Sequence, residues 1–174
     1  TDTTWTDKLS DTVIGTVNSR RRYVATDIYG NETILDFIYY VDAARPTYEI
    51  ITPAAPATPT VINGKNSYTV SGKAADDNVD ISSVQFCICA SGKTPKTVSD
   101  TVGTGTADIY DTSVEKNSDG TAHSAWEKAT VGDSLDENKK TSWKATVDLS
   151  DAAYADGTYL VYFVVTDSAG NKSV

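Results

Sequence analysis

The chain has 174 residues, 39% of them hydrophobic, and a formal charge of −9, so it can bury a core and is not marked as disordered. The acidic balance argues against a nucleic-acid partner, because polyphosphate would be repelled, and no run approaches the ~18 apolar residues of a membrane span. Ten tyrosines, many β-branched residues and no methionine favour strands over helices, since such side chains suit a pleated surface.

The chain opens at Thr1-Asp2-Thr3 without a methionine or a signal peptide. It is therefore expected to be an excerpt, in which missing targeting signals say little about location. Arg20-Arg21-Arg22 is the one cluster of positive charge, too short and isolated to serve as a nucleic-acid patch. Thr33 to Val41 reads as a strand. It ends at Val41-Asp42-Ala43-Ala44-Arg45-Pro46, where the proline biases Arg45 towards an extended conformation. Tyr48-Glu49-Ile50-Ile51 starts the next unit, and Pro53, Pro56 and Pro59 confine the segment after it to an edge or an irregular crossing. Ser67 to Ala74 alternates Tyr68, Val70 and Gly72 with polar neighbours, and Val84, Phe86 and Ile88 alternate likewise.

Cys87 and Cys89 fall on one face of that strand, with parallel side chains that disfavour a mutual disulfide. Three readings stand for them: small strand residues, a cross-link to another group, or two ligands of a metal site still lacking its others. From Ser91 to Asn138 the periodicity fades, leaving a long connection decorated with a hairpin or a helical turn. The only helix-like stretch lies there, around Ala122 to Ala129. Ser142 to Leu149 then sets Trp143, Ala145 and Val147 on one face. Asp156-Gly157-Thr158-Tyr159 leads into an apolar run, Tyr159 to Thr166, suited to the middle of a sheet.

The chain also resembles itself. Tyr23-Val24-Ala25-Thr26-Asp27-Ile28-Tyr29-Gly30-Asn31 matches Phe163-Val164-Val165-Thr166-Asp167-Ser168-Ala169-Gly170-Asn171, and Leu9-Ser10-Asp11 matches Leu149-Ser150-Asp151 at the same spacing. One repeat unit of about 140 residues, the size of a β-sandwich with an insertion, lies between them. Residues 1–44 are expected to be the C-terminal strands of a preceding unit. Residues 45–174 are expected to form a second unit with an insertion at about 91–138 and without its last strand.

Three segments carry a family resemblance. Val70-Ser71-Gly72-Lys73-Ala74-Ala75-Asp76-Asp77-Asn78, Asp156-Gly157-Thr158-Tyr159 through Asn171, and the linker Val41 to Pro46 resemble bacterial immunoglobulin-like (Ig-like) domains of tandem-repeat surface proteins and adhesins. The resemblance implies an all-β immunoglobulin-like β-sandwich in tandem repeats at the cell surface or outside the cell, with neighbouring repeats as partners. It implies a structural spacer or stalk. The alternative is an adhesive module binding a host or cell-surface protein or a glycan through the insertion. In such a domain Tyr159 would bond its hydroxyl to upstream backbone and pin the crossover between sheets.

Catalysis has little support. No Gly-x-Ser-x-Gly elbow is present, and the single histidine, His123, sits in the weakly patterned insertion, so no catalytic residue is expected. Calcium is the sharper expectation. In a sandwich with alternating strands, Asp76, Asp77, Asn78 and Asp80 would meet Asp167 and Asn171 at one end, with Asp42 arriving from the linker. Hard oxygen ligands of that number suit Ca²⁺. The competing reading is that these residues only form turns, bonding their own backbone. A further alternative arises from the expected missing strand: Ile34 to Val41 of one chain could complete the edge of another and assemble a filament.

Overall fold

The computed structural model describes residues 4, 6, 15–55, 58–62, 66–103, 105–113, 124–150, 154 and 156–174, without the side chains of 15–20. Leu9-Ser10-Asp11, Pro56, Ala122 and His123 lie outside the described residues, as does Asp151. The described residues form strands joined by turns, with no helix, and the chain divides into two compact units, Thr1–Ala43 and Ala44–Val174.

Among its described residues the first unit forms a hairpin. β1 (Gly15–Thr26) pairs antiparallel with β2 (Glu32–Val41), Thr26 lying opposite Glu32 and Tyr23 opposite Leu35. Val24, Ile34, Leu35, Phe37 and Ile38 are largely exposed, because the two described strands cannot by themselves cover an apolar face.

The second unit holds two four-stranded antiparallel sheets. β3 (Thr47–Thr52), β4 (Ser67–Ala75), β10 (Thr141–Asp148) and β9 (Thr130–Leu135) form one, in that spatial order. The other runs β12 (Lys172–Ser173), β11 (Tyr159–Asp167), β5 (Ile81–Ala90) and β8 (Glu127–Lys128). The sheets pack face to face in a β-sandwich-like arrangement: Val70, Trp143, Ala145 and Val147 of the first meet Val84, Phe86, Ile88, Phe163 and Val165 of the second. Along β10 burial alternates without a break, as the sequence period requires, with Thr141, Trp143, Ala145 and Val147 inside. Trp143 and Phe163 set their ring centroids 5.0 Å apart across the core. The Thr52–Pro53 bond is cis where β3 ends.

Three expectations are corrected. The insertion is shorter than 91–138, because β8 and β9 fall inside that span yet pair with β5 and β10 as sheet members. Their polar composition hid them: both are edge strands, whose outer residues face water. The helix-like stretch at Ala122 to Ala129 is not helical where it is described; Glu127–Lys128 is strand, opposite Phe86 and Gln85. Nor is the last strand wholly lacking, since β12 begins it, Ser173 opposite Val165 and Lys172 opposite Thr166.

Among the described residues, what remains of the insertion holds a hairpin of β6 (Thr97–Val102) and β7 (Gly105–Tyr110). Arg45 fastens it to the sandwich. Its Nη1 donates to Asp100 Oδ2 at 2.8 Å and to the Lys172 carbonyl at 2.5 Å, while Nη2 donates to the Asp100 carbonyl at 2.9 Å. One guanidinium thus ties β6 to β12, using the fork that only arginine offers. The Ser173 hydroxyl donates to the Pro46 carbonyl beside it.

Candidate functional site

The repeated Thr-Asp-x-x-Gly-Asn segments fold into turns with the same bonds. In the second unit the Asp167 amide donates to the Asn171 carbonyl at 3.1 Å, and the Gly170 amide to the Asp167 carbonyl at 3.2 Å. Asp167 Oδ1 accepts the Asn171 amide and Oδ2 the Asn171 side chain, both at 2.9 Å. In the hairpin the Asp27 amide donates to the Asn31 carbonyl and the Gly30 amide to the Asp27 carbonyl, while the Asp27 carboxylate takes the Asn31 amide at 2.9 Å and its side chain at 2.7 Å. Gly30 and Gly170 sit at φ 85° and 93°, the left-handed region where a side chain strains the backbone. These bonds hold the Asp27 carboxyl below the usual carboxylate range, chiefly through the Asn31 side chain and amide. The flanking pairs agree too: Ala25 faces Thr33 as Val165 faces Ser173.

Beside the second turn lies the acidic one after β4. The Asp80 carbonyl accepts the Ser168 amide at 2.8 Å and the Ser168 hydroxyl at 3.0 Å, which locks the two turns together. Asp76 Oδ1 caps its own turn, accepting the Asn78 amide at 2.9 Å and the Val79 amide at 3.2 Å. Its Oδ2 is buried and accepts no hydrogen bond among the described residues. Carboxylate oxygens of Asp76 and Asp167 lie within 4.8 Å of each other, and Asp167 is fully buried. Like charges so placed repel each other. A cation between them would reverse that sign.

The structure therefore brings Asp76, Asp167 and Asn171 together at one end of the second unit, with the Asp80 backbone bracing them. Asp77, Asn78 and Asp80 stay exposed on the same turn and, with Thr141 and Lys139, line a hollow of about 220 Å³. Asp42 belongs to the first unit, one residue beyond β2.

Sequence reasoning missed a second small core on the outer face of β5. The thiols of Cys87 and Cys89 are completely buried and pack against Trp126 and Tyr162. Tyr110 closes the cluster, its centroid 6.2 Å from that of Trp126 and 5.3 Å from that of Tyr162, edge on. Ser124 stitches the covering segment to β5: its Oγ accepts the Ile88 amide at 2.8 Å, and its own amide donates to the Ile88 carbonyl at 3.2 Å. Burial, then proximity to the thiols, raises the phenol pKa of Tyr110 above its ordinary value. The signal was present in the sequence: Cys, Ile, Cys with no polar interruption marks a strand covered on both faces.

Of the arginine cluster, Arg22 pairs with Asp36 directly across the hairpin at 2.8 and 3.0 Å. That bond raises the guanidinium pKa. Tyr159, expected at the crossover, sets its ring edge on to Tyr154 at 5.3 Å. Comparison with protein-family models, curated proteins and solved structures finds no match to this chain.

Proposed function

We propose that this chain is a non-catalytic structural module, a spacer or stalk segment of a bacterial cell-surface or extracellular protein built from tandem immunoglobulin-like repeats. We propose also that the second unit takes a calcium ion between Asp76 and Asp167. The observation that carries the spacer reading is the duplication: two turns 140 residues apart in sequence share hydrogen bonds, glycine conformation and strand register. A chain that repeats its own corner is suited to stacking one unit after another. Arg45 and the Ser173–Pro46 bond add rigidity where the second unit begins.

The calcium reading is supported by the buried Oδ2 of Asp76, which accepts no hydrogen bond among the described residues, and by the buried Asp167 carboxylate within 4.8 Å of the Asp76 carboxylate. An acidic pair without a cation is destabilising, and hard oxygen donors suit Ca²⁺. The adhesive alternative needs an insertion that displays aromatic side chains. Trp126 instead turns inward to cover Cys87 and Cys89, which favours the spacer.

Calorimetric titration of the whole chain with Ca²⁺ tests the cation. Saturable binding with Kd on the order of 10⁻⁴–10⁻³ M, as in extracellular modules, lost in Asp76→Ala and in Asp167→Ala, supports it. No heat at millimolar calcium reduces these carboxylates to turn formers. Asp42→Ala, measured alongside, reads whether the first unit adds a ligand.

A further inference from the structure

Cys87 and Cys89 set two nucleophilic sulfurs on the outer face of β5, both fully buried. Small apolar residues would fill that face equally well, so the chemistry of the pair turns on what covers it. Tyr162 stands on β11, directly opposite Cys87 in the ladder, and cannot leave without breaking the sheet. Trp126 is nearly as fixed. Its segment is bonded to β5 on either side of it, by Ser124 to Ile88 and by the Ala129 amide, which donates to the Val84 carbonyl at 2.9 Å. Tyr110 is held differently. It ends β7, and β6 and β7 pair with each other and with no other strand among the described residues.

The hairpin's other attachments are local. Ile109 is its one fully buried side chain among those described. Arg45 bonds Asp100 through side chain and backbone, where the two side chains are 24% and 29% exposed. At the foot of the hairpin the Lys93 carbonyl accepts the Tyr162 hydroxyl at 3.1 Å. A segment with little buried apolar surface belongs to the low end of local stability. The sandwich beneath it, with a continuous apolar core, belongs to the high end.

We infer that Cys87 and Cys89 form a gated modification site for small disulfides, with the β6–β7 hairpin as the gate. When the hairpin swings away on the turn from Ala90 to Lys93, Tyr110 lifts from Trp126 and Tyr162 and uncovers the sulfurs. A thiol then gives its proton to water, and the thiolate attacks one sulfur of the disulfide. That S–S bond breaks, a protein–reagent disulfide forms, and the other half leaves as a thiolate. The two protein sulfurs point the same way along one strand, which disfavours resolving the adduct into an internal disulfide. The adduct holds the gate open, because a close-packed cluster has no room for it. A small reducing thiol removes it and lets the hairpin close. The choice of a disulfide as reagent rests on the extracellular setting proposed above, where disulfides persist; the gate rests on the hairpin alone.

Labelling of the whole chain by dithiobis(nitrobenzoate), a small aromatic disulfide, tests the gate. The reagent is added in rising urea below the unfolding transition, and release of its thiolate half is followed. Gated access predicts labelling with a urea slope below about half that of global unfolding, since local opening exposes only part of the buried surface. Equal slopes mean that the sulfurs are reached by global unfolding alone, which overturns the gate. Asp100→Ala removes the side-chain half of the Arg45 latch. It should speed labelling roughly two- to five-fold while the urea midpoint stays in place. An unchanged rate, or one that rises only as far as global stability falls, overturns the hairpin as the gate. Trypsin reads the trapped state: the labelled chain should be cut at Lys93 or Lys96, the unlabelled chain should resist there, and a reducing thiol should restore resistance. Equal cutting of the two overturns the claim that the adduct holds the gate open. None of these readouts involves calcium or a repeated unit, so a failed gate and a failed spacer or cation reading are told apart.

Discussion

Gly72→Ala is the sharpest test of how the second unit is packed. Gly72 lies in β4 between Ile50 of β3 and Trp143 of β10, where only a hydrogen lets both neighbours approach. A methyl group there would stand 2.5 and 2.7 Å from Cζ2 and Cε2 of Trp143, and closer still to the Glu49 carbonyl oxygen. Carbon atoms in contact prefer roughly 3.5–4.0 Å, so something must move by about an ångström. Neither neighbour is free to move. Trp143 is buried against Phe163, and the Glu49 oxygen belongs to the backbone of β3. Overpacking costs about 1–3 kcal/mol, and parting β3 from β4 forfeits ladder bonds worth about 1 kcal/mol each. The sum, roughly 3–5 kcal/mol, is a large share of the 5–15 kcal/mol that typically holds a domain together. With a urea slope near 2 kcal/mol/M, the unfolding midpoint falls by about 2 M. Gly132→Ala is the control, because its added carbon meets chiefly the Ser142 hydroxyl at 2.7 Å, a side-chain tip that can rotate away. Equal midpoints for the two variants would refute the claim that a glycine is required beneath Trp143.

Further outcomes are expected. Calcium at about 100 times its Kd stabilises the chain by about 2.7 kcal/mol. In scanning calorimetry this appears as a rise in Tm of roughly 10 °C, absent in Asp76→Asn. Ser124→Ala leaves the buried Ile88 amide without its acceptor at a cost of about 1–3 kcal/mol, and Cys87 and Cys89 then react with a thiol reagent several-fold faster than in the native chain. The Lys73 ammonium, then the Lys140 amide, hold the Asp136 carboxyl at about 2, below its ordinary 3.8. The unfolded chain takes up that proton first as pH falls, so this contribution is full above about pH 4 and vanishes towards pH 2. Urea midpoints should therefore fall less steeply over that window in Asp136→Asn than in the unsubstituted chain.

Much of the fold was legible because burial has a period. Trp143, Ala145 and Val147 alternate with polar residues, and the structure buries each of them. β8 and β9 escaped because an edge strand with few apolar residues carries no alternation to read, and both are recognised only through their partners. Within the candidate site, spacing placed Asp76 and Asp167 at one end of the sandwich, as the Ser168–Asp80 bonds require. It could not single out Asp76 from Asp77, since which carboxylate turns inward depends on the backbone bonds of one turn. Cys87 and Cys89 were placed on a common face. Their cover, Tyr110 and Trp126, comes from a stretch of sequence where chain order and spatial order part company.

The Asp-x-x-Gly-Asn turn keeps its bonds whether its aspartate is exposed, as Asp27 is, or sealed inside a sheet, as Asp167 is. Its shape is therefore written by five residues and owes little to the core around it. In a folding chain, a loop that short closes on a timescale of nanoseconds to microseconds. The pairing of β11 with β5, by contrast, must wait for segments far apart in sequence to meet. The turn thus fixes which residue of the last strand faces Val165 before most of the sheet exists. A one-residue slip, which would turn every side chain of that strand to the wrong face, is closed off at the start of assembly rather than corrected at its end.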